Sequence, residues 1–179
     1  DQVCADQRPA LCLTSDQAQA VDRFWELFAV EAPQSALLFG VTGSGKTAVY
    51  LELAKRSLCH GRHVMLLAPE VAIALKLYND VRDALPQADL RLFHGYLSPG
   101  ERFRVFMGLA SQTSPCIVVG TRSSLFLPLE PGLVILDEEH DASFKQDEGL
   151  VYQARELAFG RIARSGGLLL MGSATPDVK

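Results

Sequence analysis

The eight residues Gly40–Thr47, GVTGSGKT, constrain this chain more than any other stretch. An apolar run, Ala36–Phe39, leads into them and an apolar-periodic segment, Thr47–Cys59, leads away. The sequence therefore predicts a buried strand, a glycine-rich loop and a helix start, the setting that the phosphate-binding pattern G-x-x-x-x-G-K-[ST] requires. Gly40, Gly43 and Gly45 allow a tight backbone, with Thr42 and Ser44 between them, whose N–H groups face phosphate oxygens. The positive end of the following helix adds to the attraction. Lys46 supplies a point charge for β- and γ-phosphates, and the Thr47 hydroxyl suits Mg²⁺, which keeps most of its waters. An ordinary glycine-rich turn carrying an exposed lysine is the bland reading, and it leaves the full pattern unexplained. The stretch reads as a nucleoside triphosphate site.

Around it, short apolar runs alternate with helical patterns. The runs are Ala36–Phe39, Val64–Ala68, Leu90–Phe93, Ile117–Val119, Leu133–Leu136 and Leu168–Met171; the helical segments are Thr47–Cys59, Val71–Leu85, Ser98–Ala110 and Tyr152–Ser165. Strands without inside–outside alternation, each followed by a helix, predict an α/β fold: a mostly parallel sheet with helices on both faces. Ligands of such sheets bind at the carboxyl ends of the strands. Residues 1–13 lack periodicity and read as a linker or edge segment, leaving 14–179 as one domain. With 179 residues, 48% of them hydrophobic, the chain can bury a sizeable core. Before the first run, Thr14 and Gln17 have capping-box spacing at the start of a helix of about sixteen residues. Gln17 has two readings, a cap or a side chain that reads an adenine edge, and both stay open.

Leu133–Leu136 ends in Asp137 and Glu138. A buried strand that delivers two carboxylates to a loop edge complements the phosphate loop. Asp137 is suited to share the Mg²⁺ shell with Thr47, and Glu138 to orient and deprotonate the water that attacks the γ-phosphate. His140, two residues on, can both donate and accept, and so could link the phosphate to a moving neighbour. Gly172–Pro176 reads either as a turn or as a hydroxyl pair, Ser173 and Thr175, that senses the hydrolysis site. Thr121, Arg122 and Ser123 end another run, where hydroxyls, N–H groups and an arginine would grip a nucleic-acid phosphate.

Composition sets weaker bounds. A net charge of −4 gives no overall pull on nucleic acid, although a local groove needs only a few placed groups. No apolar run approaches the ~20 residues that span a bilayer, so no membrane partner is expected. Cys4, Cys12, Cys59 and Cys116 are widely spaced, which reads as four unpaired thiols in a reduced cytoplasmic setting. His60 and His63 lack a second ligand pair, so zinc is not expected here.

In order and spacing these pieces resemble the first motor lobe of superfamily 2 helicases, a RecA-like P-loop NTPase domain. GVTGSGKT is similar to motif I, DEEH (Asp137–His140) to motif II and GSATP (Gly172–Pro176) to motif III. The tract Asp137–Ala158, with LFHGYLSPGERF and VVGTRSSLFLP before it, resembles the PriA family of primosomal replication-restart helicases. The resemblance implies an ATP-driven 3′-to-5′ DNA helicase that acts at stalled forks, with single-stranded and forked DNA, primosome proteins and single-strand-binding proteins as partners. It also implies that the loop Phe144–Tyr152 couples DNA to hydrolysis, with Phe144 and Tyr152 stacking on bases and Lys145 reaching a phosphate. Core packing is the alternative for the two aromatic residues. Leu150 stands where the family carries a tryptophan, and Ala74 and Lys76 stand where it carries Thr and Gln, which weakens the expected strand site.

The same resemblance implies a second lobe with arginines that complete the ATP site, and a zinc module beside it; neither is in this sequence. An arginine of that kind is worth ~10³–10⁵ in rate. The chain is therefore expected to be a fragment that binds nucleotide weakly, hydrolyses it very slowly and does not unwind DNA. A duplex translocase lobe and a nucleotide-dependent binding module without turnover remain the alternatives.

Overall fold

The computed structural model describes residues 12–30, 32–41, 43–147, 149 and 151–174. Thr42, Leu150, Thr175 and Cys4 lie outside the described residues, as does most of the segment 1–13. The element order is α1 (Ser15–Phe28), β1 (Gln34–Phe39), α2 (Lys46–Cys59), β2 (His63–Leu67), α3 (Val71–Ala84), β3 (Leu90–Phe93), α4 (Pro99–Ala110), β4 (Ile117–Gly120), β5 (Pro131–Leu136), β6 (Lys145–Gln146), β7 (Tyr152–Gln153), α5 (Ala154–Ser165) and β8 (Leu168–Ser173). A 3₁₀ turn, Arg122–Phe126, follows β4, and another, Ala142–Phe144, precedes β6.

Six strands form one parallel sheet in the order β1-β8-β5-β2-β4-β3. Its central strands are apolar throughout because both faces are covered. Along β2, Val64 and Leu66 pack into a core with Val21, Phe24, Val49 and Leu77 of α1, α2 and α3. Met65 and Leu67 pack on the opposite side with Leu125, Ala158 and Ile162. β5 divides in the same way, Leu133 and Ile135 to one core and Val134 and Leu136 to the other. A fully buried large aliphatic side chain contributes about 1.5–3 kcal/mol, so these two layers dominate the stability of the fold. Edge strand β1 instead alternates, burying Ala36 and Leu38 more than Leu37 and Phe39.

Two capping boxes start helices. Thr14 and Gln17 bond reciprocally at α1, as their spacing predicts, and Ser98 and Glu101 do so at α4, where Pro99 opens the helix. Two sequence expectations need correction. Tyr152 does not begin the last helix; Tyr152 and Gln153 pair with Lys145 and Gln146 as an antiparallel ribbon, and the helix begins at Ala154. Strand pairing across the intervening loop outweighs the helical periodicity of two residues. The expectation of four unpaired thiols also fails: Cys59 is disulfide-bonded, whereas Cys12 and Cys116 are free. Pairing depends on approach in space, which sequence spacing does not reveal. Among the described residues, no helix is long and apolar enough to cross a membrane.

Candidate nucleotide site and nucleic-acid groove

β1, β8 and β5 are neighbours, so the loops that follow them meet at one sheet edge. From β1 the chain enters the phosphate loop, with Gly43 at φ 81° and Gly45 at φ 82°. Such left-handed angles favour glycine, and Gly45 also sits at the N-cap of α2. Lys46 is the first residue of that helix and Thr47 the second. The Lys46 ammonium donates to the Gly40 carbonyl at 2.7 Å and lies 3.5 Å from Glu138 Oε1. The lysine thus joins the phosphate loop to the acid pair.

Gln17 fulfils its capping role and does more. Its Oε1 accepts from the Thr14 N–H at 2.9 Å, and its Nε2 donates to the Ser44 and Gly45 carbonyls at 3.2 and 3.4 Å. It therefore ties α1 to the phosphate loop, with both ends of its amide engaged.

At the end of β5, Asp137 accepts a hydrogen bond from the Tyr50 hydroxyl at 3.0 Å. Burial pushes the Asp137 carboxyl above its ordinary range; the Tyr50 bond opposes that shift, Glu138 adds to it and Lys46 counters it. Tyr50 itself is pushed far upward by its burial and by the facing Asp137. Glu138 has φ 52°, an unusual angle for a residue with a side chain, and one that is frequent at functional turns. His140 Nδ1 and the Ser173 hydroxyl are 3.0 Å apart, and the Glu139 N–H donates to the Gly172 carbonyl. Ser173 is buried within β8 and not part of a turn, so the acid loop is stitched directly to the last strand.

The donor set fits Mg²⁺. Asp137 and Thr47 offer oxygen ligands, and among the described residues no cluster of three or more His, Cys, Asp or Glu could cage a metal. A carboxylate and a hydroxyl suit an ion that keeps most of its waters and binds chiefly through phosphates. His63 is occupied otherwise, since its Nδ1 accepts from the Cys116 N–H at 3.2 Å.

A groove of about 640 Å³ runs beside this edge, lined by Glu70, Val71, Tyr96, Thr121, Ser123 and Tyr152 among others. α3 opens into it with no side-chain cap, which leaves backbone N–H groups available. Thr121, Arg122, Ser123 and Tyr152 are brought together there, and the expectation for Phe144 is corrected. Phe144 is buried to 4% exposure against Leu125 and Ala154, so it packs in the core and presents no stacking face. Lys145 lines a separate recess of about 170 Å³ with Glu139, His140 and Asp141. Arg122 lines the groove too, and its guanidinium donates to the Ser143 and Lys145 carbonyls and to Gln146 Oε1. Ala74 is fully buried, while Lys76 is exposed.

Tyr50 is the site residue that the motifs miss. Its signal was an aromatic hydroxyl on an otherwise apolar helix face, because a buried tyrosine hydroxyl needs a partner. Tyr96, 86% exposed at the groove, was also unmarked.

A parallel sheet that carries a phosphate loop and an acid pair to one edge is the build of a RecA-like helicase lobe, and this domain has that fold. The chain belongs to the family described as Type III restriction enzyme, res subunit, whose profile matches residues 11–177. It is 37% identical over 169 residues to the replication restart protein PriA of Chlamydia trachomatis, covering 93% of this chain and 22% of that protein. With PriA of Bacillus subtilis the identity is 34% over 170 residues, 94% of this chain and 21% of the relative. The resemblance to PriA read from the motifs is borne out, and the chain spans about a fifth of the length of these curated relatives. Among solved structures, RecG bound to a three-way DNA junction superposes with a TM-score of 0.70 at 22% identity, covering 98% of this chain and 22% of that one. The Hef helicase domain of Pyrococcus furiosus gives 0.65 at 20% identity, over 92% of this chain and 33% of the other.

Proposed function

We propose that this chain is the ATP-binding lobe of an ATP-dependent 3′-to-5′ DNA helicase that acts in replication restart and primosome assembly. The observation that carries the reading is the approach of Lys46 Nζ to Glu138 Oε1, 3.5 Å, at the edge where the phosphate loop and the acid pair meet. On nucleotide binding, Lys46 exchanges the Gly40 carbonyl for phosphate oxygens, while the N–H groups of Gly43–Thr47 enclose them. Thr47 and Asp137 would hold Mg²⁺, which supplies charge neutralisation at the β- and γ-oxygens. Glu138 orients the attacking water and takes its proton, and the His140–Ser173 contact carries the change to β8. An arginine-bearing second lobe completes the site in the longer protein, which explains the weak turnover expected of this lobe alone.

Single-stranded DNA occupies the groove. The Thr121 and Ser123 hydroxyls and the open N-terminus of α3 meet phosphates, and Tyr152 offers a ring to a base. Forked DNA, primosome proteins and single-strand-binding proteins are the partners of the longer protein, in the cytoplasm. The test is Glu138→Gln in that protein. Nucleotide binding is expected to persist while hydrolysis and strand displacement disappear; unchanged hydrolysis would reject the assignment. Hydrolysis by the wild type without strand displacement would favour a duplex translocase.

A further inference from the structure

Grooves that hold single strands commonly gather cations along the phosphate track. This one does not. Among the described residues that line it, Arg122 and Glu70 are the only ones with charged side chains, one of each sign. Lys145 opens on a separate recess. Neutralised phosphates supply the salt-sensitive part of nucleic-acid binding, so a groove with no net charge must draw on something else. The Thr121 and Ser123 hydroxyls can meet phosphates, but those contacts do not tell a paired strand from an unpaired one.

What the groove does present is an open ring. Tyr96 is 86% exposed at its wall, in the turn between β3 and α4. The imidazole of buried His94 lies against it at 65°, with ring centroids 6.4 Å apart, which braces the tyrosine and leaves most of its surface bare. The other aromatic residue of the groove, Tyr152, is more enclosed. It is half-buried, stands at 90° to Phe126 with centroids 5.2 Å apart, and its hydroxyl bonds to Arg122. A base laid on the Tyr96 ring would take two apolar faces out of water at once.

We infer that Tyr96 is the base-stacking platform of the groove and the residue that makes it select unpaired nucleotides. The inference rests on the reading of the groove as a DNA site. In a duplex each base is covered by its stacked neighbours, so a ring reaches a base face only where the strand is single or the base is taken out of the stack. Every base has a π-face, so the selection acts on pairing and not on sequence.

The test uses Tyr96→Ala and Tyr96→Phe in the full-length protein, with oligothymidylate, an abasic strand and a duplex of one length as probes. The concentration of each that half-saturates the stimulation of hydrolysis is measured. Wild type and Tyr96→Phe should respond to oligothymidylate at a concentration at least about fivefold below that of either other probe. Tyr96→Ala should raise the oligothymidylate value at least about fivefold and leave the abasic value within about twofold. The side chain is exposed, so its truncation removes little packing and the melting temperature should hold. A preference for oligothymidylate that survives Tyr96→Ala would overturn the platform and leave the groove a DNA site. An equal rise for both single strands, or a loss in Tyr96→Phe as large as in Tyr96→Ala, would make Tyr96 a phosphate contact through its hydroxyl and overturn the platform too. If no probe stimulates the wild type, the reading of the groove fails, and the platform with it.

Discussion

The Tyr50 hydroxyl donates to Asp137 Oδ1 across 3.0 Å, linking the helix of the phosphate loop to the acid strand. The two residues are 87 positions apart in sequence and meet only because β5 and α2 share a core. Gly172 makes room for the contact: a Cβ there would lie 1.7 Å from the Tyr50 hydroxyl. A buried carboxylate held by the Tyr50 hydroxyl is oriented before any ion arrives.

Tyr50→Phe should therefore impair Mg-dependent binding selectively. Burial already raises the Asp137 carboxyl, and the Tyr50 bond is the largest effect opposing it. Its loss is expected to weaken Mg-ADP binding about tenfold, as for an outer-shell partner, and to affect metal-free ADP much less. Calorimetric titrations with and without Mg²⁺ check this; equal losses in both would contradict it.

Gly172→Ala should be destabilising for a definite reason. Overpacking at this site is expected to cost about 1–3 kcal/mol, read from denaturant unfolding. Combining it with Tyr50→Phe should recover part of the loss, because the phenyl ring lacks the oxygen that the new methyl meets. Strict additivity of the two changes would argue that the crowding lies elsewhere.

Acid should weaken the β2–β4 seam through His63. Burial lowers its pKa, the charge of Arg62 lowers it further, and Asp89 opposes both. The folded chain thus holds His63 neutral, with Nδ1 accepting the Cys116 N–H, while the unfolded chain takes up a proton near the ordinary value of about 6.5. Below that pH the unfolded state binds more protons, so stability falls as pH drops from about 6.5 towards the lowered folded value. His63→Asn, which can still accept a hydrogen bond but does not titrate, should flatten melting temperature against pH over that window.

Much of this was legible in the sequence because the signals were local. The phosphate loop, the Thr14–Gln17 box and the buried runs ending in Asp137 and Ser173 each carry their geometry in a few adjacent residues. What escaped was contact across the sheet. Tyr50 meeting Asp137, Gln17 holding the Ser44 and Gly45 carbonyls, and Arg122 bonding to the acid loop all depend on strand order, which spacing does not specify. Phe144 turns on the same kind of contact: the resemblance implied stacking on bases with core packing as the alternative, and a 3₁₀ turn sends its ring into the core.

The central claim is that Gly40–Thr47 forms a nucleotide site in this lobe, and titration of the chain with Mg-ADP beside Lys46→Ala tests it most directly. Lys46 removal deletes a charge-assisted hydrogen bond worth about 1.5–3 kcal/mol, so weak binding by the wild type should fall at least about tenfold in the variant. Undetectable binding by the wild type, or equal binding by both, would contradict the account.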